Sequence, residues 1–158
     1  LTHLDPALAA RVHRLGQALD AAAPEAGPPV LVHGDASPDQ VLLERASGRI
    51  WLTDFDRARL APAAVDLGSY LAVAPADAAP ALLAGYAQAG GRVPAEAVLR
   101  HAIARARLER IQDPLRHGDP HWRRRLGAQA DLIERLLAAP ARPARGSGPG
   151  AERMREAS

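Results

Sequence analysis

The sequence contains no cysteine, no lysine and no asparagine. Without cysteine there is no disulfide and no thiolate metal site, which fits a reducing compartment, and the expectation is a cytoplasmic protein. Aromatic residues make up only 3% of the chain, too few for the stacking platforms of a single-strand nucleic-acid binder. All 20 basic residues are arginine, yet the net charge is only +2. The pI near 9.9 therefore reflects arginine chemistry and does not mark a nucleic-acid partner. No apolar run reaches the length of a membrane span, and no signal-peptide pattern is present. The surplus of alanine, arginine, proline and glycine has a plain source in GC-rich coding, so arginine clusters carry less information here than elsewhere. The chain begins with leucine, as expected of a fragment or a processed chain.

What is present suffices for one domain with a real core. Asp5-Pro6 is a helix start, cap followed by first-turn proline. Leu8, Val12, Leu15 and Leu19 then recur at helical spacing, predicting an amphipathic helix over residues 6–22. Pro24, Gly27, Pro28 and Pro29 end it. Val30-Leu31-Val32 reads as a short buried strand, and 33–39 as a turn-rich loop. Residues 40–44 and 49–53 read as two strands of a hairpin turning at Ser47-Gly48. After Asp56 the pattern offers helices only: 62–73, 76–88 closed by Gly90-Gly91, a long helix 94–116 interrupted near Asp113-Pro114, and a last helix from Asp119-Pro120 to about 139. Residues 140–158 bury almost nothing and read as a disordered tail. The fold class is α+β, mostly α-helical, with residues 1–139 as its one domain.

Both short apolar segments deliver an aspartate at the end of a strand. Asp35 follows the first, in a loop where a carboxylate is both exposed and held. Asp54 ends the hairpin. Because antiparallel strands set the start of one beside the end of the other, Gln40 and Asp54 should be neighbours. An amide oxygen and a carboxylate there offer hard ligands for a divalent cation, with Asp56 as a further carboxylate. One carboxylate to take a hydroxyl proton and a second group of oxygens to hold magnesium is the equipment of phosphoryl transfer. His33, two residues before Asp35, faces the other way in an extended segment and is placed to brace the loop. Asp66, at the start of the following helix, is either an ordinary helix-start acid or an acceptor for N–H groups of the Asp35 loop. With no lysine, the chain lacks the side chain that ordinarily steadies nucleotide phosphates at such sites.

His33-Gly34-Asp35, Gln40, Asp54-Phe55-Asp56 and Asp66-Leu67, in that order, resemble the aminoglycoside phosphotransferase and choline kinase-like family, which shares the protein-kinase fold. The motif core spans residues 30–73, and the flanking helices extend the resemblance over 1–139 as a C-terminal lobe. The resemblance implies Asp35 as catalytic base and Gln40 and Asp54 as magnesium ligands. It implies ATP as donor and a small-molecule hydroxyl as acceptor; composition sets the expectation of neither nucleic acid nor membrane as partner. Gln40 stands where the family has asparagine, which keeps the amide oxygen on a longer arm. Ser37 stands where a histidine is common. The family's N-terminal lobe, with its ATP lysine, has no counterpart before Leu1 and is expected upstream or lost. On its own the chain should bind ATP poorly and transfer phosphate slowly or not at all. The alternative expectation is an inactive truncated lobe or a binding module of the same fold.

Other patterns have simpler readings. His117-Gly118-Asp119 repeats the tripeptide without a preceding strand, and Arg124 stands five residues beyond its aspartate; a helix start explains it. His101, His117 and His121 lack the spacing of a zinc site and read as solvent-exposed. Arg123-Arg124-Arg125 and the arginines of 94–116 read as solvated helix faces, and their charge disfavours a polycationic acceptor. Asp54 and Asp56 also match the Asp-x-Asp start of haloacid-dehalogenase-like phosphatases, but that fold needs a parallel α/β sheet.

Overall fold

The computed structural model describes residues 1–139; the expectation of a disordered tail over 140–158 lies outside the described residues. Helix α1 runs Pro6–Ala21, and its cap is the one expected, with the Asp5 carboxylate accepting the Leu8 N–H at 3.0 Å. Strand β1 is Pro29–Val32, and the hairpin is β2 Val41–Glu44 with β3 Arg49–Leu52. The hairpin register sets Val41 opposite Leu52 and Glu44 opposite Arg49. Gly48 occupies the left-handed backbone region (φ +69°) that the turn requires.

A strand that the sequence pattern did not predict follows. Residues Arg59–Pro62 form β4, antiparallel to β1, with Pro29 opposite Pro62 and Val32 opposite Arg59. The expectation of helices alone after Asp56 is thereby corrected. Only Leu60 and Ala61 are apolar inside β4, and a proline ends it, so nothing local announces a strand. Its partner lies about one hairpin away in sequence, and pairing with β1 decides its conformation.

Helices α2 Ala64–Val73, α3 Ala78–Gln88, α4 Glu96–Glu109, the single turn α5 Asp113–Arg116 and α6 Trp122–Ala138 complete the described chain. The predicted long helix is divided earlier than expected, at residues 110–112. Pro114 sits in the first turn of α5, where its missing N–H costs nothing. Helix α6 begins two residues after Pro120: Asp119 accepts the His121 N–H at 2.7 Å and pairs with Arg125 at 2.5 Å.

The core lies among α1, α4 and α6. Leu15 and Leu19 from α1 meet Ala104 from α4, Ile111 from the following turn, and Leu126, Ala130 and Ile133 from α6. Helix α2 packs closely on α4 because Gly68 lets the backbones approach: a Cβ there would lie 2.6 Å from the Ala102 carbonyl carbon. The α1–α6 contact is fastened at its rim by Arg11, which bonds Glu134 at 2.7 and 2.9 Å and Asp131 at 2.5 Å.

The strands are not buried as expected. In β1 only Val32 is buried, while Leu31 is 76% exposed; Leu60, opposite it on β4, is 72% exposed. The hairpin likewise exposes Leu42, Leu43, Ile50, Trp51 and Leu52. Consecutive strand residues face opposite sides, so the hairpin exposes apolar side chains on both of its faces. No helix among the described residues is long and apolar enough to cross a membrane.

Candidate active site

Strand β1 ends at Val32, and the chain turns immediately through Gly34 (φ +86°). A Cβ on Gly34 would collide with the Arg57 carbonyl and the Arg59 guanidinium, so the turn requires glycine at that position. The Asp66 carboxylate, in the first turn of α2, accepts the His33 N–H at 2.7 Å and the Gly34 N–H at 2.8 Å. Charge-assisted bonds of this kind are among the stronger ones in a protein. They tie the loop to a helix that is itself seated on α4.

His33 is buried. Its Nε2 lies 2.7 Å from the Thr53 carbonyl oxygen, and its Nδ1 lies 3.4 Å from the Asp35 N–H. A neutral ring protonated at Nε2 satisfies both, donating to Thr53 and accepting from Asp35. The ring also packs against Phe55, with centroids 4.7 Å apart. His33 therefore joins the Asp35 loop to the segment that carries Asp54.

Gln40 closes a 3-10 turn, Pro38–Gln40, rather than opening β2 as expected. The pairing nevertheless continues past the ladder, since the Gln40 carbonyl accepts the Thr53 N–H at 3.0 Å and the Thr53 hydroxyl at 3.2 Å. The next residues meet through their side chains, with Gln40 Nε2 3.1 Å from Asp54 Oδ2. Asp54 has left-handed backbone angles (φ 64°, ψ 60°), the sole non-glycine residue with positive φ among the described residues. Such a conformation costs free energy in a residue with a Cβ and concentrates at functional positions. In the intervening turn, the Ser37 side chain holds the Asp39 carboxyl below the usual carboxylate range, aided by the Asp39 backbone N–H.

Asp35 has partners that sequence reasoning missed. Arg110, just past α4, pairs with Asp35 Oδ1 and donates to the Ser69 hydroxyl at 2.9 Å. Arg57 reaches Asp35 Oδ2 at 3.2 Å. Arg110 is therefore not part of a solvated helix face. Neither is Arg107, whose half-buried guanidinium bonds Gln129 Oε1 at 3.0 Å and whose pKa burial pushes down. Among the described residues no ion pair joins Asp56 to Arg57 or Arg59, and Arg59 donates to the Gly34 and Arg57 carbonyls. Asp56 is exposed.

The candidate residues thus fall into two adjoining groups. Gln40 meets Asp54, and Asp35 meets Arg57 and Arg110, while His33 and the turn at 55–57 connect the groups. No group of three or more His, Asp or Glu side chains suited to a metal occurs among the described residues. An amide and one carboxylate are nonetheless a donor set that suits magnesium, which keeps several waters and takes few protein ligands. Turned over, the Gln40 amide presents its oxygen in place of its nitrogen. Of the other histidines, His117 and His121 are exposed, whereas His101 is half-buried, with Nε2 2.9 Å from the Leu19 carbonyl. Among the described residues the strand pairs are all antiparallel, without the parallel sheet that the phosphatase reading required.

Comparison with curated proteins gave no match. A model of the phosphotransferase enzyme family matches residues 1–102, a span that contains His33, Asp35, Gln40, Asp54, Asp56 and Asp66 and ends within α4.

Proposed function

Because the chain belongs to the phosphotransferase enzyme family, we propose that it forms the catalytic, C-terminal lobe of a kinase-like enzyme that transfers the ATP γ-phosphate to a small-molecule hydroxyl. In this reading Asp35 accepts the hydroxyl proton and orients the oxygen for attack. Gln40 and Asp54 hold magnesium, with Asp56 as an outer carboxylate; the ion, when bound, neutralises charge on the phosphates. His33 and Asp66 fix the loop and touch neither substrate. The observation that carries the reading is the Gln40–Asp54 contact at 3.1 Å, made by a strained aspartate and braced through His33 to the loop of Asp35.

The apolar face of the strands supports a second part of the proposal. Nine of the twelve large hydrophobics exposed among the described residues lie on β1–β4 or at Phe55. Monomers rarely leave so much apolar surface together. We infer that a second, nucleotide-gripping lobe covers it, supplying the phosphate contacts that a chain without lysine lacks. The enzyme would be cytoplasmic and act on neither nucleic acid nor membrane.

One observation favours the alternative of an inactive lobe or binding module: both carboxylate oxygens of Asp35 are occupied by guanidinium groups. Turnover decides between the two. Magnesium-dependent ADP formation is measured with a panel of hydroxyl compounds, using the longest native reading frame that contains this chain. Replacing a general base costs about 10²–10⁴ in rate, so Asp35→Asn is expected to lose at least a hundredfold, and Asp54→Asn is expected to lose magnesium-dependent turnover with its metal carboxylate. Turnover in both variants equal to that of the parent would overturn the assignment.

A further inference from the structure

Beside Asp35 lies a cleft of about 130 Å³ whose other walls are Arg57, Glu109, Arg110, Asp113 and Arg116. Every lining side chain is charged. At about 30 Å³ per water the cleft holds roughly four waters, the size of the reacting end of a small acceptor. Arg110 and Arg116 stand outside the residues matched to the family.

The two guanidinium partners of Asp35 differ in how firmly they are held. Arg110 is only 23% exposed and is also held by the Ser69 hydroxyl, whereas Arg57 is 69% exposed and makes the longer contact. An acceptor hydroxyl has to take a carboxylate oxygen of Asp35, and the oxygen that can be vacated is the one facing Arg57. Displaced from Asp35, Arg57 would stand beside the acceptor with its fork of N–H donors unpaired. A guanidinium in that position is matched by a carboxylate or phosphate. A cationic acceptor would leave Arg57 unpaired and would have to rely on the Glu109 and Asp113 carboxylates of the same cleft. Arg116, 66% exposed and 3.7 Å from Asp113, is loosely held in the same cleft and is available to the same anion.

We propose that the hydroxyl acceptor carries an anionic group, and that Arg57, assisted by Arg116, is the specificity residue that holds this group beside Asp35. The proposal rests on the phosphotransferase reading. It adds no step to the transfer, since the hydroxyl proton still passes to Asp35 and the anion is only bound.

The test is a titration of the chain, followed by NMR, with three compounds that share a hydroxyl scaffold: glycerate, glycerol 3-phosphate and glycerol. Ethanolamine serves as the cationic counterpart, and manganese is titrated separately to report the Gln40–Asp54 pair. Saturable shifts at Asp35 and Arg57 are expected with glycerate, glycerol 3-phosphate or both, and the stronger of the two identifies the anion as carboxylate or phosphate. Arg57→Gln, a surface replacement checked for folding by circular dichroism, is expected to weaken that binding about tenfold or more, the loss of one charge-assisted bond, and Arg116→Gln by less. Manganese binding should be unchanged in both variants. Glycerol or ethanolamine binding as tightly as the anions, or anion binding indifferent to Arg57→Gln, would overturn the proposal. Anion selectivity without manganese binding at Gln40 and Asp54 would support the anion cleft and count against the phosphotransferase reading.

Discussion

Removing the Asp66 carboxylate should loosen the loop that presents Asp35 and cost much of the chain's stability. Asp66 is half-buried and accepts two backbone N–H groups, at 2.7 and 2.8 Å. Hydrogen bonds to a charged group contribute about 1.5–3 kcal/mol each. One carboxylate serves both donors and water reaches part of the gap, so the two do not add fully. Asp66→Ala is therefore expected to cost about 3 kcal/mol, a large share of the roughly 5–15 kcal/mol that holds a typical domain. Asp66→Asn keeps one acceptor oxygen and turns an amide N–H toward the other donor, so about half that loss is expected. With a urea m-value of about 2 kcal/mol/M, Asp66→Ala moves the unfolding midpoint down by about 1.5 M. Circular dichroism gives the midpoint, and hydrogen exchange gives the site. The His33 and Gly34 amides should lose protection in Asp66→Ala before the amides of α6 do. A midpoint within about 0.2 M of the parent, well under the predicted shift, with both amides still protected, would refute the view that Asp66 fixes the loop.

Two further outcomes follow from the same geometry. Gly34→Ala places a methyl group against the Arg57 carbonyl at a positive φ. Left-handed strain of about 1–2 kcal/mol adds to an overpacking cost of about 1–3 kcal/mol, so thermal unfolding of this variant should fall by several degrees; an unchanged melting temperature would contradict the described turn. For the α1–α6 clamp, Arg11 holds the Glu134 carboxyl below the usual carboxylate range. A depressed folded-state value means that the stabilisation is present above the ordinary glutamate range and is lost as pH falls through the folded value. Glu134→Gln should then melt below the parent at neutral pH and together with it in acid, and a gap that persists unchanged at low pH would dismiss the pair as its cause.

The pairing of Gln40 with Asp54 was legible because the hairpin pattern is local. Two strands joined at Ser47-Gly48 force the residues beyond their open ends together, whatever the rest of the chain does. The Asp5 cap and the apolar stripe of α1 were legible for the same reason. Contacts made across long sequence separations were not. Asp35 and Arg110 are 75 residues apart, and in a chain whose basic residues are all arginine no single arginine stands out. Strand β4 carries too little apolar patterning to announce itself and exists because β1 offers it a partner. The core was only half visible: Leu126 and Ile133 stand out by size, but Ala104 and Ala130 are fully buried as well, and alanine is so common here that its placement carries no signal. The expected burial of Val30 and Leu31 failed because apolar character shows that a residue favours cover without showing whether the described chain supplies it.

The central claim is that Gln40 and Asp54 form one divalent-cation site beside the loop of Asp35, and paramagnetic broadening by manganese tests it directly on the chain itself. Low manganese concentrations should selectively broaden the amide signals of residues 39–41 and 53–56, magnesium should reverse the effect by competition, and Asp54→Ala should abolish it. Broadening centred elsewhere, or broadening at 39–41 that survives Asp54→Ala unchanged, would contradict it.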